Sequence, residues 1–265
     1  MGYGFHRFVR SKSSENNVVS FYINIQYNNY IFAYKMQTMN QKFQYHEKQG
    51  VIVIWQAKAA CTVVNKMYYK EEGLLEKALK HSKWIHHYRQ KHNHETAAKR
   101  NKGLANPHTK YIQFVVNPYR RAVSSYIHSG IHNYAGLPDM KETTFSQFCD
   151  KILTNKIRKD WHHERQIYQH YRQKKIEYIK MEEIDEQLPI INKKYGLNYG
   201  LETSSHHAKT QHVVGEFMGN VAWNKIKQIP TDYSLFYNDE IRQKVEKIYG
   251  ADIKEFKYTW DEFIR

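Results

Sequence analysis

Two short apolar runs, each passing straight into a helical pattern, constrain this chain more than any other feature. Val51-Ile52-Val53-Ile54-Trp55 is unbroken apolar sequence of strand length. Beyond the turn that follows it, Val63, Val64, Met67, Leu74, Leu75, Ala78 and Leu79 recur at helical spacing, with Gly73 placed to interrupt the helix. Tyr111 to Val116 repeats the arrangement: Asn117-Pro118 ends the run, and Ala122, Val123, Tyr126 and Ile127 continue as helix. A third strand is predicted at Ile176 to Met181. Continuous apolar strands are those buried on both faces. Strands alternating with helices build an α/β fold, a central mostly parallel sheet flanked by helices. Ligands of such folds bind at the carboxyl ends of the strands, which is where both strand-turn-helix junctions fall.

Ahead of this core, Val18 to Met36 is rich in β-branched and aromatic residues around Asn28-Asn29 and predicts a β-hairpin. The polar segment Gln37 to Gln49 follows. The expected organisation is an N-terminal extension over 1–48 and one domain over 49–265, with no internal repeat and no linker of Gly, Ser and Pro.

Lys and Arg outnumber Asp and Glu by 41 to 26, a net +15 that attracts a nucleic acid, an acidic membrane, an anionic polysaccharide or an anionic cofactor. The excess is concentrated: Asn65 to Lys110 holds eleven Lys or Arg against four Glu, with six of the sixteen histidines. Two cysteines, Cys61 and Cys149, exclude a disulfide framework and point to a reducing compartment. No run approaches the roughly 18 to 20 apolar residues of a membrane span, and no signal peptide is visible, so a soluble, cytoplasmic chain is expected. Without Cys pairs or a helical His-Glu-x-x-His, no metal is expected at the histidines.

A strand turning directly into a helix presents unpaired amides at the positive end of the helix dipole, a setting for a phosphate or phosphosulfate. In Gln56-Ala57-Lys58-Ala59-Ala60-Cys61-Thr62, Lys58 supplies a point charge, and Thr62 can cap the helix or offer its hydroxyl to the anion. The glycines and the Lys-Ser/Thr pair of an ordinary nucleotide loop are absent. By itself the turn also describes a surface lysine. The second junction singles it out, because Arg120 and Arg121 lie four and three residues from Ser124 and can share a helix face with it.

In order, these motifs resemble the sulfotransferases that use 3′-phosphoadenosine 5′-phosphosulfate (PAPS), in particular the carbohydrate branch of chondroitin, HNK-1 and uronyl 2-O enzymes. The family's Pro-Lys-x-Gly-x-Thr/Ser corresponds to Ala57 through Thr62. Its Arg-Asp/Asn-Pro followed by Arg-x-x-Ser-x-Tyr corresponds to Asn117, Pro118, Arg121, Ser124 and Tyr126. A His-x-x-x-Gln element resembles His162 to Gln166, an acidic turn resembles Lys180 to Ile184, and the C-terminal pattern has Tyr249, Asp252, Phe256 and Tyr258 in register. Three positions depart from the family: Ala57 and Ala60 replace Pro and Gly, and Val116 stands where the family has its 3′-phosphate arginine.

The resemblance implies a P-loop-like sulfotransferase fold that transfers a sulfuryl group to a hydroxyl, on a carbohydrate or an anionic glycan, leaving adenosine 3′,5′-bisphosphate (PAP) and needing no metal. Lys58 would meet the phosphosulfate, the amides of Ala59, Ala60, Cys61 and Thr62 would cradle it, and Asn117 and Ser124, with Arg120 or Arg121 compensating for Val116, would hold the 3′-phosphate. By the same resemblance His94, supported by His92, is the base, with Glu95 as the alternative. His162 and Gln166 line the acceptor side or belong to a helix surface. It also allows a Golgi lumen if an anchor precedes the sequence. Two other outcomes stay open: a degenerate member that binds nucleotide or anionic glycan without transfer, and a basic nucleic-acid-binding protein.

Overall fold

The computed structural model describes residues 42–158, 160–168, 174–201, 210–211 and 215–264. The expected hairpin at Val18 to Met36 lies outside them. Four strands form one sheet in the order β1 (Phe43–His46), β2 (Val51–Ile54), β3 (Lys110–Val115), β4 (Ile176–Lys180). β2, β3 and β4 run parallel, with Ile52 opposite Tyr111 and Phe114 opposite Ile179, whereas β1 pairs antiparallel with β2. The sheet is therefore mixed.

β1 falls in the segment that looked polar. Its four side chains are all buried, and both polar ones are hydrogen-bonded inside the fold. Gln44 donates to the Tyr69 hydroxyl (3.2 Å) and to Asn93 Oδ1 (3.0 Å), while His46 bridges Glu72 and the Tyr199 hydroxyl at 2.6 Å each. Buried polar groups are tolerated when bonded, so hydropathy alone does not reveal such a strand.

Four helices connect β2 to β3: α1 (Cys61–Glu71), α2 (Leu75–His81), α3 (Ile85–Glu95) and α4 (Ala97–Ala105). The α1–α2 break comes at Gly73, whose φ of 68° is left-handed. α5 (Pro118–His132) and α6 (Phe145–Leu153) lie between β3 and β4, and α7 (Ile184–Tyr195), α8 (Asp239–Phe256, kinked at Tyr249) and α9 (Trp260–Ile264) follow. α5 begins as its sequence requires, with Asn117 Oδ1 accepting from Tyr119 N–H at 3.0 Å and Pro118 in the first turn.

Alternation along the strands divides the core. Val51, Val53, Ile112, Phe114 and Ile179 pack against Val64 and Met67 of α1 and Leu188 and Ile191 of α7. Val115, pointing the other way, meets Phe256 and Tyr258. A second core joins Tyr119, Val123 and Tyr126 of α5 to Phe145 and Phe148 of α6 and Ile241 and Val245 of α8.

α8 also fixes the segment 160–168 at the carboxyl edge of the sheet. The buried Asp252 carboxylate accepts from Gln166 N–H (2.7 Å) and Ile167 N–H (3.2 Å), and the Tyr249 hydroxyl donates to the His163 carbonyl (2.8 Å). The Gln166 side chain accepts from Val116 N–H (3.0 Å) and donates to the Val116 carbonyl (2.8 Å). Three residues of the C-terminal and His-x-x-x-Gln motifs are thus scaffold.

Candidate functional site

Between β2 and α1 the chain turns through two left-handed residues, Lys58 (φ 62°) and Ala60 (φ 55°). Each costs an L-residue with a Cβ roughly 1–2 kcal/mol, so the loop is held by its surroundings. Ala59 N–H donates to the Gln56 carbonyl at 3.0 Å, so its amide closes the turn and does not face a ligand. Ala60, Cys61, Thr62 and Val63 are different: among the described residues their N–H groups have no acceptor, and no side chain caps the helix. These are the orphan donors of a helix start. The Thr62 hydroxyl is paired instead with His86 Nε2, at 3.1 Å.

Arg121 is what holds the loop. Its guanidinium, 1 % exposed, donates to the carbonyls of Ala57 (2.9 Å), Glu164 (2.6 Å) and Trp161 (3.0 Å). All this capacity is spent on backbone, so Arg121 joins the β2–α1 loop to segment 160–168 and is not free for a phosphate. Tyr168 reinforces the seam, donating to the Trp55 carbonyl at 2.9 Å. Arg120 is exposed, with its guanidinium over the Tyr233 ring at 5.8 Å. Ser124 is half-buried one turn further along α5. Asn117 is spent in part as the cap of α5, while its N–H donates to Glu182 (2.8 Å) and its buried side-chain Nδ2 has no partner among the described residues.

The Lys58 ammonium makes no hydrogen bond or ion pair with the described residues. Burial, aided by the Arg121 charge, lowers its pKa. Around it stand histidines from three elements. His86 (α3) and His128 (α5) are pushed down to about 3, first by burial and then by neighbouring cations that include Lys58. His162 is also lowered, by burial first and by Lys58 and Arg121, against the opposing pull of Asp160. Its Nδ1 is hydrogen-bonded to the Asp160 carboxylate, and its ring lies 4.7 Å from that of His128 and 4.4 Å from that of Tyr134. A carboxylate on Nδ1 places the proton of a neutral imidazole there and leaves the Nε2 lone pair free.

The expected base lies elsewhere. His94 and Glu95 are exposed at the far end of α3, eight and nine residues beyond His86, about 12 Å along a helix. The end of α3 that reaches the loop carries His86. His92 is buried among Tyr68, Tyr69 and Tyr88. Sequence reasoning passed over Arg89 as well, one turn after His86. It is buried, its Nε has no partner among the described residues, and its guanidinium sits 5.9 Å from the Trp161 ring. The four-residue step from Ser124 to His128 was a legible signal. The approach of α3 to Cys61 was not.

Among the described residues no group of three His, Cys, Asp or Glu is placed to hold a metal ion, and no helix is long and apolar enough to cross a membrane. The profile described as "Sulfotransferase family" matches residues 41–259, which takes in the sheet, both junctions and α8. No curated protein and no solved structure matches the chain.

Proposed function

The chain belongs to the sulfotransferase family, and from that premise we propose that it moves a sulfuryl group from PAPS to a hydroxyl of a carbohydrate. The observation that carries this reading is the β2–α1 turn, with two left-handed residues, and four amides and a lysine ammonium that have no partner among the described residues. Such a turn suits a doubly anionic phosphosulfate. Arg120 and Ser124, with the unpartnered Asn117 Nδ2, are the groups offered to the 3′-phosphate in place of the arginine missing at Val116.

When bound, the donor supplies a sulfuryl group on a phosphate leaving group. The chain's own residues do the rest. The amides of Ala60 to Val63 bind the phosphosulfate, and the Lys58 ammonium stabilises charge that develops on the bridging oxygen. The neutral His162 accepts the proton of the acceptor hydroxyl at Nε2, while Asp160 holds the ring and stabilises the imidazolium. Segment 160–168, tied to α8 and to Arg121, keeps that imidazole beside the loop.

Calorimetric titration with PAP tests the donor site: micromolar binding is expected, and no heat at high micromolar nucleotide in a folded sample would refute it. Val116 favours a second reading, a member that binds nucleotide without transfer. Sulfate transfer from labelled donor to any acceptor would exclude that one.

A further inference from the structure

We propose that Cys61 is a peroxide-reactive thiol whose oxidation closes the anion loop. Its reactivity follows from its neighbours; its effect on the loop rests on the donor reading above.

Cys61 opens α1, between the left-handed Ala60 and Thr62, and is partly exposed. Its Sγ lies 3.7 Å from Nε2 of His86, the nitrogen that also meets the Thr62 hydroxyl. His86 is neutral, and its Nε2 meets the thiol as an uncharged hydrogen-bond partner. Three residues further along α3, Arg89 is 6 % exposed, has no carboxylate partner among the described residues, and keeps an unpartnered Nε. Arg89 and Lys58 both lie close enough to Cys61 to interact with it electrostatically. A Cys-His contact flanked by two cations at a helix start is the setting in which a sulfur becomes nucleophilic. Cys149 offers the contrast: it is fully buried in the α5–α6–α8 core, where burial pushes its thiol up.

The oxidant is hydrogen peroxide. The Cys61 sulfur attacks the outer peroxide oxygen, an S–O bond forms as the O–O bond breaks, and the sulfur loses two electrons to the peroxide. The thiol proton passes to the departing hydroxide, which leaves as water. The product, a sulfenic acid, sits among the amides that would receive the phosphosulfate and is reversed by thiols.

The sequence contains two cysteines, so peptide mass spectrometry of the intact folded protein reads both. Iodoacetamide should label Cys61 at least roughly tenfold faster than Cys149. Prior hydrogen peroxide should add one oxygen to Cys61 and block its labelling until dithiothreitol restores it. Arg89→Met should slow Cys61 labelling severalfold and Arg89→Lys should recover it, with circular dichroism verifying the fold of each. Equal labelling of the two cysteines, or the same Cys61 rate in both Arg89 variants, would overturn the proposal. In the last arm, PAP should bind the reduced protein and not the oxidised one. Equal binding to both forms would overturn the loop-closing effect, whereas failure to bind even the reduced form would refute the donor reading and leave the labelling result standing.

Discussion

Arg121 gives the sharpest test of how this site is built. Its guanidinium satisfies three part-buried carbonyls, those of Ala57, Glu164 and Trp161, and in doing so joins the β2–α1 loop to segment 160–168. Truncation to alanine leaves three part-buried acceptors without these donors. At roughly 1–2 kcal/mol for each stranded carbonyl, the loss is about 4 kcal/mol. For a domain of this size each kcal/mol moves the melting temperature by about 2–4 °C, so Arg121→Ala should melt roughly 8–16 °C below the parent. Thermal unfolding followed by circular dichroism, without nucleotide, measures this directly. A phosphate ligand behaves oppositely, because its removal abolishes nucleotide binding and leaves the ligand-free melt in place. A shift under about 2 °C together with lost PAP binding would refute the structural role.

Other predictions address the site group by group. Lys58→Ala should lower turnover by about 10²–10³-fold while the melt stays close to the parent, since the ammonium has no partner among the described residues; full turnover would show that the loop is misassigned. His162→Ala should reduce turnover by about 10²–10⁴-fold with PAP affinity retained, and Asp160→Asn should lower it in the same direction; His94→Ala and Glu95→Ala should stay within about twofold, and the reverse ranking would return the base to α3. Ala60→Gly should raise stability by about 1 kcal/mol in urea unfolding, because glycine adopts φ 55° without a Cβ clash; a loss would mean that Ala60 is not strained. His86 and His128, held at about 3, and His163, at about 4, bind protons more readily when unfolded. Their neutral burial therefore favours the fold above about pH 6.5, and the urea midpoint should fall as pH drops from there towards 4; a flat profile would contradict it.

The sequence by itself determined the three parallel strands, their junctions with the helices and the loop between β2 and α1. Those features are local: an unbroken apolar run, an Asn-Pro cap and a glycine break each act within a few residues. It also placed the junctions at Lys58 and Pro118 at the carboxyl edge, because in an α/β sheet that edge follows from strand direction. β1 was not legible, since Gln44 and His46 are buried only by virtue of partners on α1, α3 and the segment after α7. Nor were the roles of the basic residues. Arg120 and Arg121 are neighbours in sequence, yet helix geometry turns one outward and drives the other into three carbonyls. His94 and His86 share a helix, and the docking of α3 brings only the latter to the loop. Asp160 and His162 gain their meaning from Asp252 and Tyr249, which hold their segment through bonds that span 86 residues. Local pattern decides which elements form; which charged side chains are spent on backbone and which are left for a ligand is set by how those elements pack, and only the tertiary structure decides that.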